Sequence, residues 1–162
     1  MSGFSFSDLA NLGAVANESI NAVVEDGPSH SNFLLGPGEH QGLVVEKALG
    51  SLRGEPGAIV TELATFKSMT KVDGVLFKQG EKNTSHLVLV DSAAKVVFSN
   101  CIFQREAGAD SGSGNLCFVL INAGGKAVFN ACSFRSSAES GAMISVAGTA
   151  IQDLNAVAGS VF

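Results

Sequence analysis

Residues 95–103 read KVVFSNCIF, and residues 126–134 read KAVFNACSF. Two phenylalanines and a cysteine recur in the same places, 31 residues apart. A period in this range marks a repeat architecture, in which each unit buries its apolar face against the next. Working outward, HLVLVDSAAKVVFSNCIF (86–103) aligns with CFVLINAGGKAVFNACSF (117–134) and with AMISVAGTAIQDLNAVAG (142–159). A weaker copy, VTELATFKSMTKVDGVLF (60–77), precedes them. Each unit has two short β-prone runs joined by small residues. The polar loops KQGEKNTS (78–85), QREAGADSGSGN (104–115) and RSSAESG (135–141) separate the units.

Short units of two or three strands, stacked so that each covers its neighbour, describe a parallel β-helix of about four coils. Alternation along KVVFSNCIF sends Val96 and Phe98 inward. It turns the chain at Asn100 and sends Cys101 and Phe103 inward. Equivalent residues then stack as rungs: Val72, Phe98, Phe129 and Leu154 in one, Val75, Cys101, Cys132 and Val157 in a second, Phe77, Phe103 and Phe134 in a third. A sandwich of unrelated strands would need the spacing to be coincidence.

The pattern V-x-F-x-N-C-x-F in Val96–Phe103 resembles the coils of right-handed β-helix proteins of the pectate-lyase and phage-tailspike type. The likeness covers roughly residues 60–159. It implies an all-β, right-handed parallel β-helix and is nearly silent on function. Gly74 and Ala131 stand where such coils carry a turn asparagine, so no asparagine ladder is expected.

The first residues read differently. Ser7 can cap a helix with Asp8 in its first turn. Leu9, Leu12, Ala16, Ile20 and Val23 recur at helical spacing until Gly27-Pro28. Residues 28–58 are rich in Gly and Pro, with one apolar run, GLVV (42–45). The expected organisation is a helix over 1–27 and an irregular arm or first coil over 28–58, with GLVV as a candidate strand, together for docking or capping, and a β-helix domain over 59–162.

Chemistry-bearing residues are scattered. Cleaving a polysaccharide needs carboxylates that converge; the candidates Glu62, Asp73, Asp91, Glu106, Asp110 and Glu139 occupy unlike positions in their units. His30, His40 and His86 lack metal-ligand spacing. GPGEHQG (36–42) and GADSGSGN (108–115) lack what a phosphate cradle needs. No catalytic, cofactor or metal site is expected. Cys101, Cys117 and Cys132, an odd set without a CxxC pair, read as reduced buried thiols. A net charge of −5 without a basic cluster argues against nucleic acid. No apolar run could span a bilayer, and MSGFSFSDL is unlike a signal peptide.

What stands out is apolar excess. With Val88, Val119 and Ile144 inward, Leu87, Phe118 and Met143 form one outward row and Leu89 with Leu120 another. Such a stripe marks a contact surface unless the N-terminal helix covers it. Val161 and Phe162 end the chain without a polar cap, which calls for cover by another chain. Resemblance to tailspikes implies a homotrimer. The expectation is a non-enzymatic structural protein of the virion, assembled in the host cytoplasm: a trimeric decoration or cement protein on a capsid or similar assembly. The alternative is a tailspike-like module that binds or cleaves glycan.

Overall fold

The computed structural model describes residues 31–79, 86–105, 117–136 and 144–147, and the backbone of 156–158. These residues are all-β, with no helix among them, and their strands run parallel in two sheets. The expected helix over 1–27, with Ser7 and Asp8, lies outside the described residues, as do Leu154, Met143, Val161 and Phe162.

The first sheet comprises β1 (Asn32–Leu35), β3 (Ser51–Gly54), β5 (Thr70–Asp73), β8 (Lys95–Ser99), β11 (Lys126–Asn130) and β14 (Ala156–Ala158), paired in that order. The second contains β2 (Gly38–Val45), β4 (Ala58–Phe66), β6 (Leu76–Lys78), β7 (Val88–Val90), β9 (Ile102–Arg105), β10 (Val119–Ile121), β12 (Ser133–Ser136) and β13 (Ile144–Val146). The chain passes back and forth between the sheets, and each new strand pairs with one laid down a circuit earlier. Parallel neighbours joined this way place equivalent residues about 4.8 Å apart.

One register line through the first sheet runs Phe33, Leu52, Val72, Phe98, Phe129, Val157. Val157 stands opposite Phe129, where alignment of the third copy had put Leu154. The two halves of that copy are in different registers, because Val119 still pairs with Ile144. Extra residues between β13 and β14 shift the second half by three. In the second sheet, Phe77, Phe103 and Phe134 share a line, headed by Val60 and His40. Val75, Cys101 and Cys132 sit at the corner just before it, all buried; Val157 belongs to the other line.

Of the two readings left open for residues 28–58, the structure takes the coil. Phe33, Leu35, Leu43, Val45 and Leu52 lie in the same core as Phe98. Residues 32–58 therefore form circuits of the stack. Repeats here are hard to see because the circuits are short: Phe33 to Leu52 is 19 residues and Leu52 to Val72 is 20, against 31 from Phe98 to Phe129.

The difference in length arises at one place. β2 and β4 are single long strands, with a register shift between Gln41 and Leu43. There Gly42 (φ 69°) opposes Glu62 (φ 64°) and Leu63, a bulge in the left-handed region. Beyond β4 the sheet forks at this bulge. β6, β9 and β12 continue from its first half, and β7, β10 and β13 from its second. All three polar loops of the sequence join one branch to the other.

The core is dry and aromatic. Phe98 stacks on Phe129 at 5.1 Å and meets Phe66, Phe77 and Phe103 edge-on at 5.6, 6.0 and 5.5 Å. Phe77, Phe103 and Phe134 stack at 5.2 and 4.8 Å. Rings from both sheets thus interlock, with stacking along the register and edge-to-face contact across it, the two favoured aromatic geometries. Opposite the fork, the chain turns from the first sheet through Gly74 (φ 68°), Asn100 (φ 53°) and Ala131 (φ 51°). The three share one conformation although only one is asparagine. Asn100 donates its side-chain amide to Asp73 at 2.9 Å.

Candidate assembly face

Alternation on the second sheet turns two files of side chains outward, each flanked by buried neighbours. One file runs Val44, Thr65, Leu89, Leu120, Ser145 along its register. The other, on the opposite branch, runs Ile59, Leu76, Ile102, Ser133. The apolar members of both files are half-buried. A parallel sheet is ordinarily covered on both faces, and this outer face is apolar enough to be covered. Sequence reasoning found Leu89 and Leu120 but missed Ile59, Leu76 and Ile102. Their alternation with buried Val60, Phe77 and Phe103 was the available signal.

Leu87 and Phe118 are not on this face. Both are buried, at 0% and 3% exposure. They lie at the fork, just before β7 and β10, where a corner breaks the alternation. The amides of Leu87 and Val88 both donate to the Phe118 carbonyl, so two successive residues are drawn inward. Phe118 then lies 6.3 Å from Phe134 of the other branch and fills the gap that forking opens. Replacing Phe118 with Asp would therefore damage the fold itself.

The fork also gathers polar groups. His86 Nδ1 is 3.2 Å from the Cys117 thiol, and Arg105 donates to the Cys117 carbonyl at 3.4 Å. The Arg105 guanidinium lies over the Phe118 ring, 5.3 Å from its centroid. Burial pushes the Cys117 thiol up and lowers Arg105 from its ordinary value. A thiol held protonated is a poor nucleophile, and the cluster reads as a latch closing the fork. Cys101 is raised further, by the Cys132 thiol beside it and by burial. All three cysteines are free and buried.

The carboxylates proposed from sequence are dispersed. Glu62 is in the bulge of β4, Asp73 ends β5 on the other sheet, and Asp91 follows β7. Each has a local partner or setting: Asp73 takes Asn100 and, at 3.9 Å, Arg53. Asp91 accepts the Ser92 amide at 2.8 Å and Asn122 at 3.2 Å, and those bonds lower it from the ordinary carboxylate value. At the same corner Lys67 bonds Glu46 at 2.7 Å, so Glu46, Lys67, Asp91 and Asn122 form a polar ladder over successive circuits. Glu106, Asp110, Glu139 and His30 lie outside the described residues. Among those described, no group of three His, Cys, Asp or Glu could hold a metal ion. His40 is fully buried, its Nε2 2.9 Å from the Gly36 carbonyl.

Comparison of the chain with protein-family models, curated proteins and solved structures gave no match.

Proposed function

We propose that the chain is a short right-handed parallel β-helix and a non-enzymatic structural protein, a homotrimer that decorates or cements a larger particle such as a viral capsid. The observation that carries this reading is the doubled apolar file on the outer face of the second sheet. Val44, Leu89 and Leu120 on one branch and Ile59, Leu76 and Ile102 on the other present apolar side chains fit to pack against the same face of a sister chain. Right-handedness follows from the general rule for parallel strands joined by crossovers. The virion setting, with assembly in the host cytoplasm, rests on the likeness of the Val96–Phe103 pattern to tailspike-type coils, and reduced, buried cysteines agree with it. A glycan-cleaving module would need carboxylates that converge, and Glu62, Asp73 and Asp91 are spread over three corners.

The test is the mass of the full chain by light scattering at two concentrations, for wild type and for Leu89→Asp/Leu120→Asp. The reading expects a wild-type trimer and a variant that is monomeric with unchanged β-sheet circular dichroism. A wild type that is monomeric at both concentrations, or a variant that still assembles, would refute it.

A further inference from the structure

The corner between the two sheets repeats closely from one circuit to the next. Cys101 and Cys132 directly follow the left-handed turn residues Asn100 (φ 53°) and Ala131 (φ 51°), and they directly precede the register partners Ile102 and Ser133. Their thiols find matching acceptors. The Cys101 thiol donates to the carbonyls of Ser99 at 3.4 Å and Val72 at 3.7 Å. The Cys132 thiol donates to those of Asn130 and Phe98, both at 3.5 Å. Ser99 is the register partner of Asn130, and Val72 of Phe98. One thiol is therefore the other carried forward by one circuit, which sets sulfur about 4.8 Å from sulfur.

That spacing selects among the things two thiols can do. A disulfide needs sulfurs about 2.05 Å apart and Cβ atoms about 3.8 Å apart, and translation by one strand spacing leaves both pairs too distant. Zinc takes four ligands in a tetrahedron. No third His, Cys, Asp or Glu joins this pair among the described residues, and the same corner one circuit earlier carries buried Val75. A soft cation held linearly between two thiolates separates them by two metal–sulfur bonds, about 4.6 Å with the bond length of a zinc thiolate. That matches the stack. Thiolate ligands favour Cu(I) among the biological cations of this kind. Both thiols are buried but lie one residue inside exposed Asn100 and Ala131, so opening a single turn admits an ion.

We propose that Cys101 and Cys132 form a linear two-thiolate site for Cu(I). One Cu(I) enters, two S–H bonds break, two Cu–S bonds form, and both protons leave to solvent. No electron is transferred. The bound ion ties β8 and β9 to β11 and β12 at their shared corner, and it stabilises the folded chain because the unfolded one does not hold the two sulfurs in place. The inference uses neither outer face and is independent of the trimer.

The test titrates the reduced full chain, without oxygen, with Cu(I) supplied as its acetonitrile complex and buffered by a competing chelator. Wild type is compared with Cys117→Ser, Cys132→Ala and Cys101→Val, the last copying Val75 at the same corner. Wild type and Cys117→Ser should each take up one copper ion per chain. Their copper X-ray absorption should show two sulfur neighbours and no nitrogen, and copper should raise the urea midpoint. Cys101→Val and Cys132→Ala should take up none at the same free Cu(I) and show no midpoint shift. The wild-type spectrum decides even where a variant fails to fold. No uptake by wild type, or equal uptake by Cys101→Val, would overturn the proposal. So would a nitrogen neighbour, which would place the ion at His86 and Cys117, or a midpoint lowered by copper, which would mean that the unfolded thiols hold it.

Discussion

Phe98→Ala removes the ring on which the whole core converges. Phe98 is fully buried, stacks on Phe129 at 5.1 Å, and meets three further rings within 6.0 Å. Truncating a buried Phe costs about 3–5 kcal/mol from lost transfer energy and the cavity left behind. Aromatic pairs add about 0.5–1.5 kcal/mol beyond area, and four partners held by two sheets cannot all relax into the hole. The expected loss is therefore at the upper end, about 4–5 kcal/mol. Phe33→Ala is the internal comparison: Phe33 is 5% exposed, on β1 at the edge of the first sheet, and should cost about 3 kcal/mol or less. The assay is urea unfolding followed by far-UV circular dichroism. With a slope of about 2 kcal/mol per molar urea, Phe98→Ala should move the midpoint down by about 2 M. A shift no greater than that of Phe33→Ala would refute the idea that the core is organised around Phe98.

Two further predictions concern the turn and the thiols. Ala131 holds φ at 51°, where an L side chain costs about 1–2 kcal/mol and glycine nothing. Allowing for the greater freedom of glycine in the unfolded chain, Ala131→Gly should stabilise by about 0.5–1 kcal/mol, and a lowered melting temperature would contradict the shared turn geometry. Cys101 and Cys117 are both raised above the ordinary thiol value. Unfolded thiols then ionise before folded ones, so their contribution is intact below about pH 8.5 and is lost as pH rises above it. The urea midpoint should fall between pH 7 and about pH 10, and fall less in Cys101→Ala; equal falls would mean that Cys101 does not titrate differently in the two states.

Much of the interior is written in local sequence. The duplicated nine-residue stretch fixes alternation, turn and spacing together, so the partnerships Phe98–Phe129, Cys101–Cys132 and Phe103–Phe134 need no information beyond the repeat. The turn at Asn100 was equally visible. Its counterparts at Gly74 and Ala131 were found by alignment, but that they share its left-handed conformation was not legible, because backbone pairing on both sides imposes the turn there whatever the side chain. The outward leucines Leu89 and Leu120 were legible for the same reason as the rungs: period-2 alternation holds inside a strand.

The remainder depended on which strands meet. Leu87 and Phe118 turn inward because the second sheet forks, and the fork exists only once β6 and β7 have each paired with one half of β4. Val157 faces Phe129 because hydrogen-bonded register, not sequence similarity, decides which residue of a loose copy enters the line. A coil at 28–58 was one reading of the sequence, but its strands and register were not legible, since these circuits lack the loops that lengthen later units and share no residue pattern with them. The repeat by itself therefore determined an all-β stack with Phe and Cys in its core. Where the sheet divides, and which apolar residues were left facing out, was decided by tertiary pairing, because a corner has no period of its own.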